Sequence, residues 1–356
     1  MEPTILTPRQ LRVAIVDSIE ASQPLFIWGP PGIGKSEIVG QASADLKRQV
    51  RDIRAGLLDP VDLRGVPYLA DITQERTRRP NPKAASETDL IPTGAKVTKW
   101  AVPDFLPTSP DANDVIFLDE LNVAPPLTLG SFYQLVRDYR IGEFKLSRKC
   151  AIIAAGNRDG DGGVTHRLPT PLKGRFVHVE LKPSVDDWCV WAVKSGIDPS
   201  VVAYIRWKSD DLHRFDKNAR ACPDPRRWEF VSKIVSKPGS DQTVRLALVE
   251  GAVGMESAIR FVAFMKMYRS LPNLDNCIMN PTTAKVPNDP QVQYAIVSAL
   301  AARAKPDNFG AILQYASRLP VEFQTFMVRD SANRNELLTH TPEFTQWCAA
   351  NANFVL

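Results

Sequence analysis

The chain has 356 residues, of which 44% are apolar, and its formal net charge is +4 at pH 7. This length allows roughly two or three domains, and no apolar run approaches the ~18 residues of a membrane span. The N-terminal residues lack the basic and apolar pattern of a signal peptide, so we expect a cytoplasmic protein that does not bind membranes. So mild a charge does not by itself indicate nucleic-acid binding. The five cysteines lack metal-ligand spacing, which favours reduced thiols.

A phosphate-binding loop follows the first predicted strand, Leu25–Trp28. Residues 29–36 read Gly-Pro-Pro-Gly-Ile-Gly-Lys-Ser, the G-x-x-x-x-G-K-[ST] pattern, and a helix is predicted at residues 37–46. The glycines let backbone N–H groups surround an anion, the lysine reaches the β- and γ-phosphates, and the serine hydroxyl is a Mg²⁺ ligand. We therefore predict a nucleoside triphosphate site rather than a Gly/Pro turn with no ligand. Its predicted binding residues are Gly29, Pro30, Pro31, Gly32, Ile33, Gly34, Lys35, Ser36 and Glu37.

Two adjacent carboxylates follow the apolar run at residues 115–118. Asp119 and Glu120 should emerge at the carboxyl edge of a parallel sheet, where such sheets bind their ligands. We predict that Asp119 holds Mg²⁺, usually through water, and that Glu120 polarises the water that attacks the γ-phosphate. A solvated turn is the alternative explanation for neighbouring carboxylates.

A third apolar run, Ala151–Gly156, ends at Asn157. The amide of Asn157 could hydrogen-bond both the attacking water and the γ-phosphate. Alternatively, Asn157 only begins the Gly- and Asp-rich turn at residues 157–160. A further strand is predicted at residues 176–181, and Arg175 directly precedes it at a helix-to-strand junction.

The order of the motifs resembles that of the AAA+ ATPases, and specifically that of the MoxR-like and cobalt-chelatase-like group. These motifs are the phosphate loop, the Asp-Glu strand, the strand-terminal Asn157 and the Leu-x-x-Arg-Phe segment. The features that favour this group are an insertion at residues 59–107, a hairpin at residues 139–146 with Gly142 as its turn, and an Asp-Pro-Arg-Arg-Trp segment at residues 224–228. The resemblance implies ATP and Mg²⁺ as cofactors. It also implies an α/β fold, with a P-loop AAA+ three-layer α/β/α parallel five-stranded sheet followed by an all-helical lid and a helical C-terminal extension.

The same resemblance assigns roles to polar residues beyond the phosphate loop. Asn157 would be the first sensor, and Arg226 would be the second sensor, although the adjacent Arg227 leaves that choice open. Arg175 would be the arginine finger that reaches a neighbouring subunit's nucleotide, with Arg167 as a competing candidate. Such a cation stabilises the charge that builds on the γ-phosphoryl oxygens. A finger that acts in trans implies a homo-oligomeric ring, commonly a hexamer in this family.

The remaining chain is predicted to be helical. We expect a nucleotide-binding domain at residues 1–183, a lid at 184–271, and a linker with a C-terminal extension at 272–356. Apolar spacing predicts helices at residues 185–194, 201–207, 228–234, 244–267, 292–304, 308–317, 320–328 and 342–350. Residues 271–290 are rich in Pro and Asn and are predicted to form the linker. We expect the aromatic residues Phe344, Trp347 and Phe354 to pack against the lid, with an interaction site as the alternative.

These expectations favour a Mg²⁺-dependent MoxR-like AAA+ ATPase that remodels, assembles or activates a partner protein. The resemblance implies a client with a von Willebrand A-type domain. One alternative is a nucleic-acid-directed AAA+ motor or loader, because the insertion carries a basic stretch that could contact nucleic acid, although a solvated loop is the commoner explanation. The basic residues of this stretch are Arg76, Arg78, Arg79 and Lys83. A second alternative is an ATP-gated structural scaffold with little turnover.

Overall fold

The structure is a computed structural model that describes residues 5–78, 87–158, 160–161, 166–216, 218–237, 241–269, 271 and 273–351. The predicted contact residues Arg79, Lys83 and Phe354, and the side chains of Arg76 and Arg78, lie outside this part of the chain. The described residues form two compact units. The first comprises residues 12–28 and 35–180, and the second comprises residues 5–11, 29–34 and 181–351.

The strands in chain order are β1 (Ile5–Leu6), β2 (Leu25–Trp28), β3 (Val50–Arg54), β4 (Val66–Arg78), β5 (Glu87–Ala101), β6 (Val115–Asp119), β7 (Arg140–Ile141), β8 (Phe144–Lys145), β9 (Ala151–Gly156) and β10 (Val177–Leu181). The helices are α1 (Pro8–Glu20), α2 (Lys35–Asp45), α3 (Pro60–Arg64), α4 (Pro126–Asp138), α5 (Thr170–Lys173), α6 (Val185–Lys194), α7 (Pro199–Trp207), α8 (Pro225–Val235), α9 (Gln242–Val253), α10 (Met255–Arg269), α11 (Leu274–Met279), α12 (Pro290–Arg303), α13 (Phe309–Ala316), α14 (Val321–Arg334) and α15 (Pro342–Ala350).

A parallel sheet forms the centre of the first unit, with its strands in the order β10-β2-β9-β6-β3. The strands β2, β6 and β9 are buried apolar runs, as expected for parallel strands that are covered on both faces. The register pairs Trp28 with Gly156 and Arg54 with Asp119, so the carboxyl ends of these strands reach the same edge of the sheet. In the second unit, the Lys182 N–H donates to the carbonyl of Leu6, in the short strand β1, at 3.0 Å. The predicted α/β fold class is confirmed.

Strand β3 was not recognised in the sequence analysis. Of its five residues, Ile53 is buried, whereas Arg51, Asp52 and Arg54 carry charges. An edge strand keeps one side open to water and needs few apolar residues, so it gives a weak sequence signal.

Two antiparallel hairpins extend from the first unit. The insertion at residues 59–107 forms α3 and the long hairpin of β4 and β5. Gly65 has φ +84°, and a Cβ atom there would lie 1.6 Å from the Ala101 carbonyl oxygen, so the base of the hairpin requires glycine. The predicted hairpin around Gly142 (φ +57°) is confirmed as β7 and β8.

The second unit is mainly helical and contains two apolar clusters. One is centred on the fully buried aromatic rings of Tyr204, Trp228 and Phe261, with the Tyr204 and Trp228 centroids 5.2 Å apart. The other is built mainly from residues of helices α11 to α14, together with Leu338 and residues of the connecting segments. Phe344 and Trp347 pack against this second cluster, so our expectation that they pack against the lid residues is wrong. These two aromatic side chains of α15 therefore pack against the helices that directly precede α15 in the chain.

A buried ion pair links two helices of this unit. The Arg206 guanidinium on α7 donates to both carboxylate oxygens of Asp330 on α14. The side chains are only 8% and 1% exposed, respectively. Helix α14 is therefore attached to α7 by a pair of opposite charges.

Two helical predictions need correction. The helix predicted at residues 244–267 is two helices, α9 and α10, which are separated at Gly254 (φ +80°). A Cβ atom at Gly254 would lie 2.7 Å from the Ala221 carbonyl oxygen, so the break also allows a close backbone approach. The predicted linker at residues 271–290 contains helix α11, whose first turn is capped by Asn273.

Candidate active site

The phosphate loop has the backbone conformation that its glycines allow. Gly32 and Gly34 have φ values of +79° and +91°, in the region that L side chains rarely adopt. Helix α2 begins directly after this loop at Lys35, with its N-terminal N–H groups at the loop. This arrangement of backbone donors is suited to phosphate.

Lys35 is brought to Asn157, which lies far from it in the sequence. The Lys35 side chain is buried, and its Nζ donates to Asn157 Oδ1 at 3.0 Å. A buried ammonium group needs such an acceptor because desolvation of an unpaired charge is costly. The predicted phosphate lysine and the predicted sensor therefore meet at the edge of the sheet.

Ser36 and Asp119, the two residues predicted to bind Mg²⁺, contact each other in the structure. The Ser36 Oγ donates to Asp119 Oδ2 at 3.0 Å. A hydroxyl and a carboxylate at this spacing fit Mg²⁺, which takes few protein oxygens and completes its shell with water and substrate phosphates. These two residues would hold the ion.

Glu120 lies at a strained backbone position. Its φ and ψ are 53° and 38°, a left-handed conformation that is uncommon for residues other than glycine. Its N–H donates to Asp119 Oδ1 at 3.0 Å, and its side chain is exposed, whereas Leu121 and Asn122 are buried. The left-handed turn thus leaves the candidate base accessible at the end of β6, and such strain is often found at functional sites.

Asp52 is a nearby carboxylate that sequence reasoning missed. Burial raises the pKa of Asp52, and repulsion by Asp119 raises it further, while Arg54 lowers it. Asp52 lies on β3, the neighbour of β6 in the sheet. Asp52 lies near Asp119 because β3 is the neighbour of β6 in the sheet, and the sequence patterns did not predict this strand order.

The end of β9 is held by polar side chains that the sequence analysis did not select. Asn122 Nδ2 donates to the Asn157 carbonyl at 2.7 Å, and the Asn157 N–H donates to Asn122 Oδ1 at 3.2 Å. The next residue, Arg158, is paired with Asp161 and Glu180, and hydrogen bonding to Asp161 raises the pKa of its guanidinium. Asn157 is therefore fixed at its backbone on both sides.

The two finger candidates are exposed on the first unit. Arg175 follows helix α5, and its N–H donates to the Leu172 carbonyl at 3.1 Å. Arg167 lies beside His166, whose N–H donates to the Asn122 carbonyl at 2.7 Å. Neither side chain takes part in the Lys35–Asn157 or Ser36–Asp119 contacts.

The start of helix α8 lies against the phosphate loop within the second unit. The Arg226 N–H donates to the Gly32 carbonyl at 3.2 Å. Asp224 caps α8 by accepting from the Arg227 N–H at 2.8 Å, and a Cβ atom on Gly32 would lie 2.5 Å from the Asp224 carboxyl carbon. Burial raises the pKa of Asp224. Sequence analysis missed the contact of this carboxylate with the loop, because neither the phosphate-loop motif nor the segment at residues 224–228 indicates that the two lie together.

Arg226 and Arg227 differ in their surroundings. The Arg227 guanidinium is engaged by Asp224, at 3.3 Å, and by the Cys222 carbonyl, at 2.7 Å. The Arg226 side chain is exposed. This difference favours Arg226 as the residue that is available to a ligand.

The sheet, the glycine loop at the start of α2 and the Ser36–Asp119 contact define an α/β protein of the P-loop class. No helix in the described ranges has the length and apolar character needed to span a membrane.

Comparison with known proteins adds only distant likenesses. No protein-family model and no curated protein matches the sequence. The Holliday junction branch migration motor RuvB of Thermotoga maritima has 16% identity and a TM-score of 0.39, with 87% of this chain and 85% of that chain covered. NtrX of Brucella abortus, in complex with ADP, has 14% identity and a TM-score of 0.39, with 97% of this chain and 67% of that chain covered.

Proposed function

We propose that this protein is a Mg²⁺-dependent AAA+ ATPase. The observation that carries this proposal is the convergence of the phosphate-loop residues Lys35 and Ser36 with Asn157 and Asp119, through two 3.0 Å contacts at one sheet edge. Four polar residues from three separate segments meet where a P-loop protein binds triphosphate. A Gly/Pro turn without a ligand would not require this convergence.

Each residue has a defined part in the proposed hydrolysis. Lys35 would exchange the Asn157 oxygen for the β- and γ-phosphates, which frees the Asn157 amide to orient the attacking water. Glu120, exposed after β6, would accept a proton from that water. Mg²⁺, held by Ser36 and Asp119, would neutralise charge on the β- and γ-phosphate oxygens when bound.

The remaining assignments follow from the same proposal. Arg226 acts as the second sensor, supported by the engagement of Arg227 with Asp224. Arg175 acts in trans as the arginine finger, in a ring that is a hexamer, and the exposure of its side chain supports this role. The nucleotide-binding domain ends at residue 183, the lid ends at residue 271, and the C-terminal extension makes up the rest of the chain. The proposed location is the cytoplasm.

The proposed client is a protein, within the MoxR-like group. Support comes from the segment at residues 59–107 and the segment at residues 139–146, which form the two hairpins β4–β5 and β7–β8. Apolar side chains such as Val66 and Leu69 are exposed on the first hairpin, where a protein segment could bind. A client with a von Willebrand A-type domain is the specific form of this proposal.

A nucleic-acid client is the second candidate. The observation that favours it is the exposure of Lys96 and Lys99 on β5. Stimulation of ATP hydrolysis by DNA or RNA, with a steep dependence on salt, would support this candidate over a protein client. Assembly on ATP with negligible turnover would instead support a scaffold.

The substitution Glu120→Gln tests the catalytic proposal. It removes the proton acceptor and keeps the shape, so we expect ATP binding to persist while turnover falls by about 100-fold or more. Phosphate release and nucleotide titration would measure the two quantities separately. Glu143→Gln, a change of the same type on the β7–β8 hairpin, is the matched control and should turn over like the wild type. Wild-type turnover in Glu120→Gln would remove Glu120 from the mechanism.

A further inference from the structure

Asn122 has an unusual position for a polar side chain. It is 1% exposed, and its amide makes both possible kinds of hydrogen bond with the same residue. The amide nitrogen donates to the Asn157 carbonyl at 2.7 Å, and the amide oxygen accepts from the Asn157 N–H at 3.2 Å. Directly after β9, the Asn122 side chain thus satisfies the backbone N–H and carbonyl of Asn157, as a neighbouring strand would.

The surroundings leave this amide little freedom. A Cβ atom on Gly156 would lie 2.5 Å from Asn122 Oδ1 and 2.8 Å from the Phe26 ring. Glycine before Asn157 therefore makes room for the amide. An aspartate at position 122 has the same size and keeps the acceptor, but it cannot donate to the Asn157 carbonyl when ionised.

The same residue joins the candidate catalytic segments. Asn122 lies two residues after Glu120, and its partner Asn157 accepts the hydrogen bond from Lys35. The loop after β6 and the sensor at the end of β9 are therefore connected through one side chain. An error of about 1 Å in the position of Asn157 is enough to lower a rate strongly.

We propose that Asn122 is a positioning residue for ATP hydrolysis, and that it holds the Asn157 amide at the place where that amide contacts the γ-phosphate and the attacking water. The inference depends on the proposed ATPase function. Asn122 itself touches neither nucleotide nor water in this role and acts through Asn157.

The test compares Asn122→Asp with Asn113→Asp, an identical exchange at an exposed position of the same unit. For Asn122→Asp we expect kcat to fall by about tenfold, since a buried hydrogen bond to a fixed group is lost. The Kd for an ATP analogue should change by less than about twofold, because the phosphate loop is not altered. Asn113→Asp should behave like the wild type in both measurements.

A double-mutant cycle separates positioning from a purely structural role. If Asn122 acts through Asn157, the double variant Asn122→Asp/Asn157→Ala should be no slower than Asn157→Ala alone. Additive losses would overturn the inference, because they would show that Asn122 acts independently of Asn157. Thermal unfolding of each variant gives the folded fraction, and kcat is expressed per folded molecule, so a loss of folded protein alone would also count against positioning.

The two proposals fail differently. If the wild type hydrolyses ATP and Asn122→Asp does so equally fast, the positioning role of Asn122 is wrong and the ATPase function stands. If the wild type binds nucleotide but shows no turnover under any condition with Mg²⁺, both are wrong.

Discussion

At the scale of single residues, the carboxylate of Asp224 against Gly32 has a direct consequence for nucleotide affinity. A triphosphate that enters the loop meets this negative charge. We expect Asp224→Asn to bind ATP about fivefold more tightly at pH 8, because one repulsion is removed while asparagine still caps α8.

This effect has a predictable pH dependence. Burial raises the pKa of Asp224, so its carboxylate takes up a proton at a higher pH than an ordinary aspartate does. The repulsion is fully present above that pKa and is lost as the pH falls through it. The advantage of Asp224→Asn should therefore shrink as the pH falls from 8 toward 5, as measured by nucleotide titration. Asp241→Asn, at the N-cap of α9, is the matched control and should have no advantage at either pH.

The sequence predicts those site residues whose role is contained in a local motif. Lys35, Ser36 and Asp119 are predicted from short patterns next to buried strands, and in the structure Lys35 contacts Asn157 and Ser36 contacts Asp119. Asn122 and Asp224 could not be found in this way. Their partners, Asn157 and Gly32, lie far along the chain, and only strand order and helix packing bring them together.

At the scale of helices and strands, the Arg206–Asp330 pair gives a prediction about stability. We expect Arg206→Ala to lower the free energy of unfolding by about 3–5 kcal/mol, because it leaves the Asp330 charge buried without a partner. Replacing both residues by apolar ones, as in Arg206→Met/Asp330→Leu, should restore most of the loss. Urea unfolding of the full chain measures both.

The exposed pair of Arg303 and Asp275 provides the control for this prediction. Arg303→Ala should have a much smaller effect on the urea midpoint, since water screens exposed pairs. An equal loss in the two single variants would show that burial of the Arg206–Asp330 pair is not the cause.

Helix boundaries were predicted well where capping and apolar spacing agree. The predicted ranges of α6 and α15 match the structure, and both helices begin after a side-chain cap, Ser184 and Thr341. The break between α9 and α10 was missed because apolar spacing continues across Gly254. The strand β3 was missed for the opposite reason, since its charged residues mask the signal of Ile53.

At the scale of the whole molecule, the proposed ring predicts complementation between inactive subunits. Arg175→Ala should abolish most ATP turnover when it is assembled alone, because the charge on a neighbour's γ-phosphate is no longer stabilised. Lys35→Ala, which disrupts the phosphate loop, should also be inactive. Mixed rings should recover part of the activity, since some interfaces then combine an intact loop with an intact finger.

Steady-state turnover at several mixing ratios measures this recovery, and Arg167→Ala in the same assay shows which arginine is the finger. Recovery with Arg167→Ala but not with Arg175→Ala would transfer the role to Arg167. A lack of recovery with either would contradict action in trans.

The ion pair between α7 and α14 also limits how the chain can be shortened. A fragment that stops at residue 271 would keep Arg206 and lose both its counter-charge Asp330 and helix α12, which packs against α7. It would also lack Ala295, which is part of the apolar cluster around Trp228. Expression of the nucleotide-binding part with its helices therefore requires the chain at least to the end of α14, at Arg334.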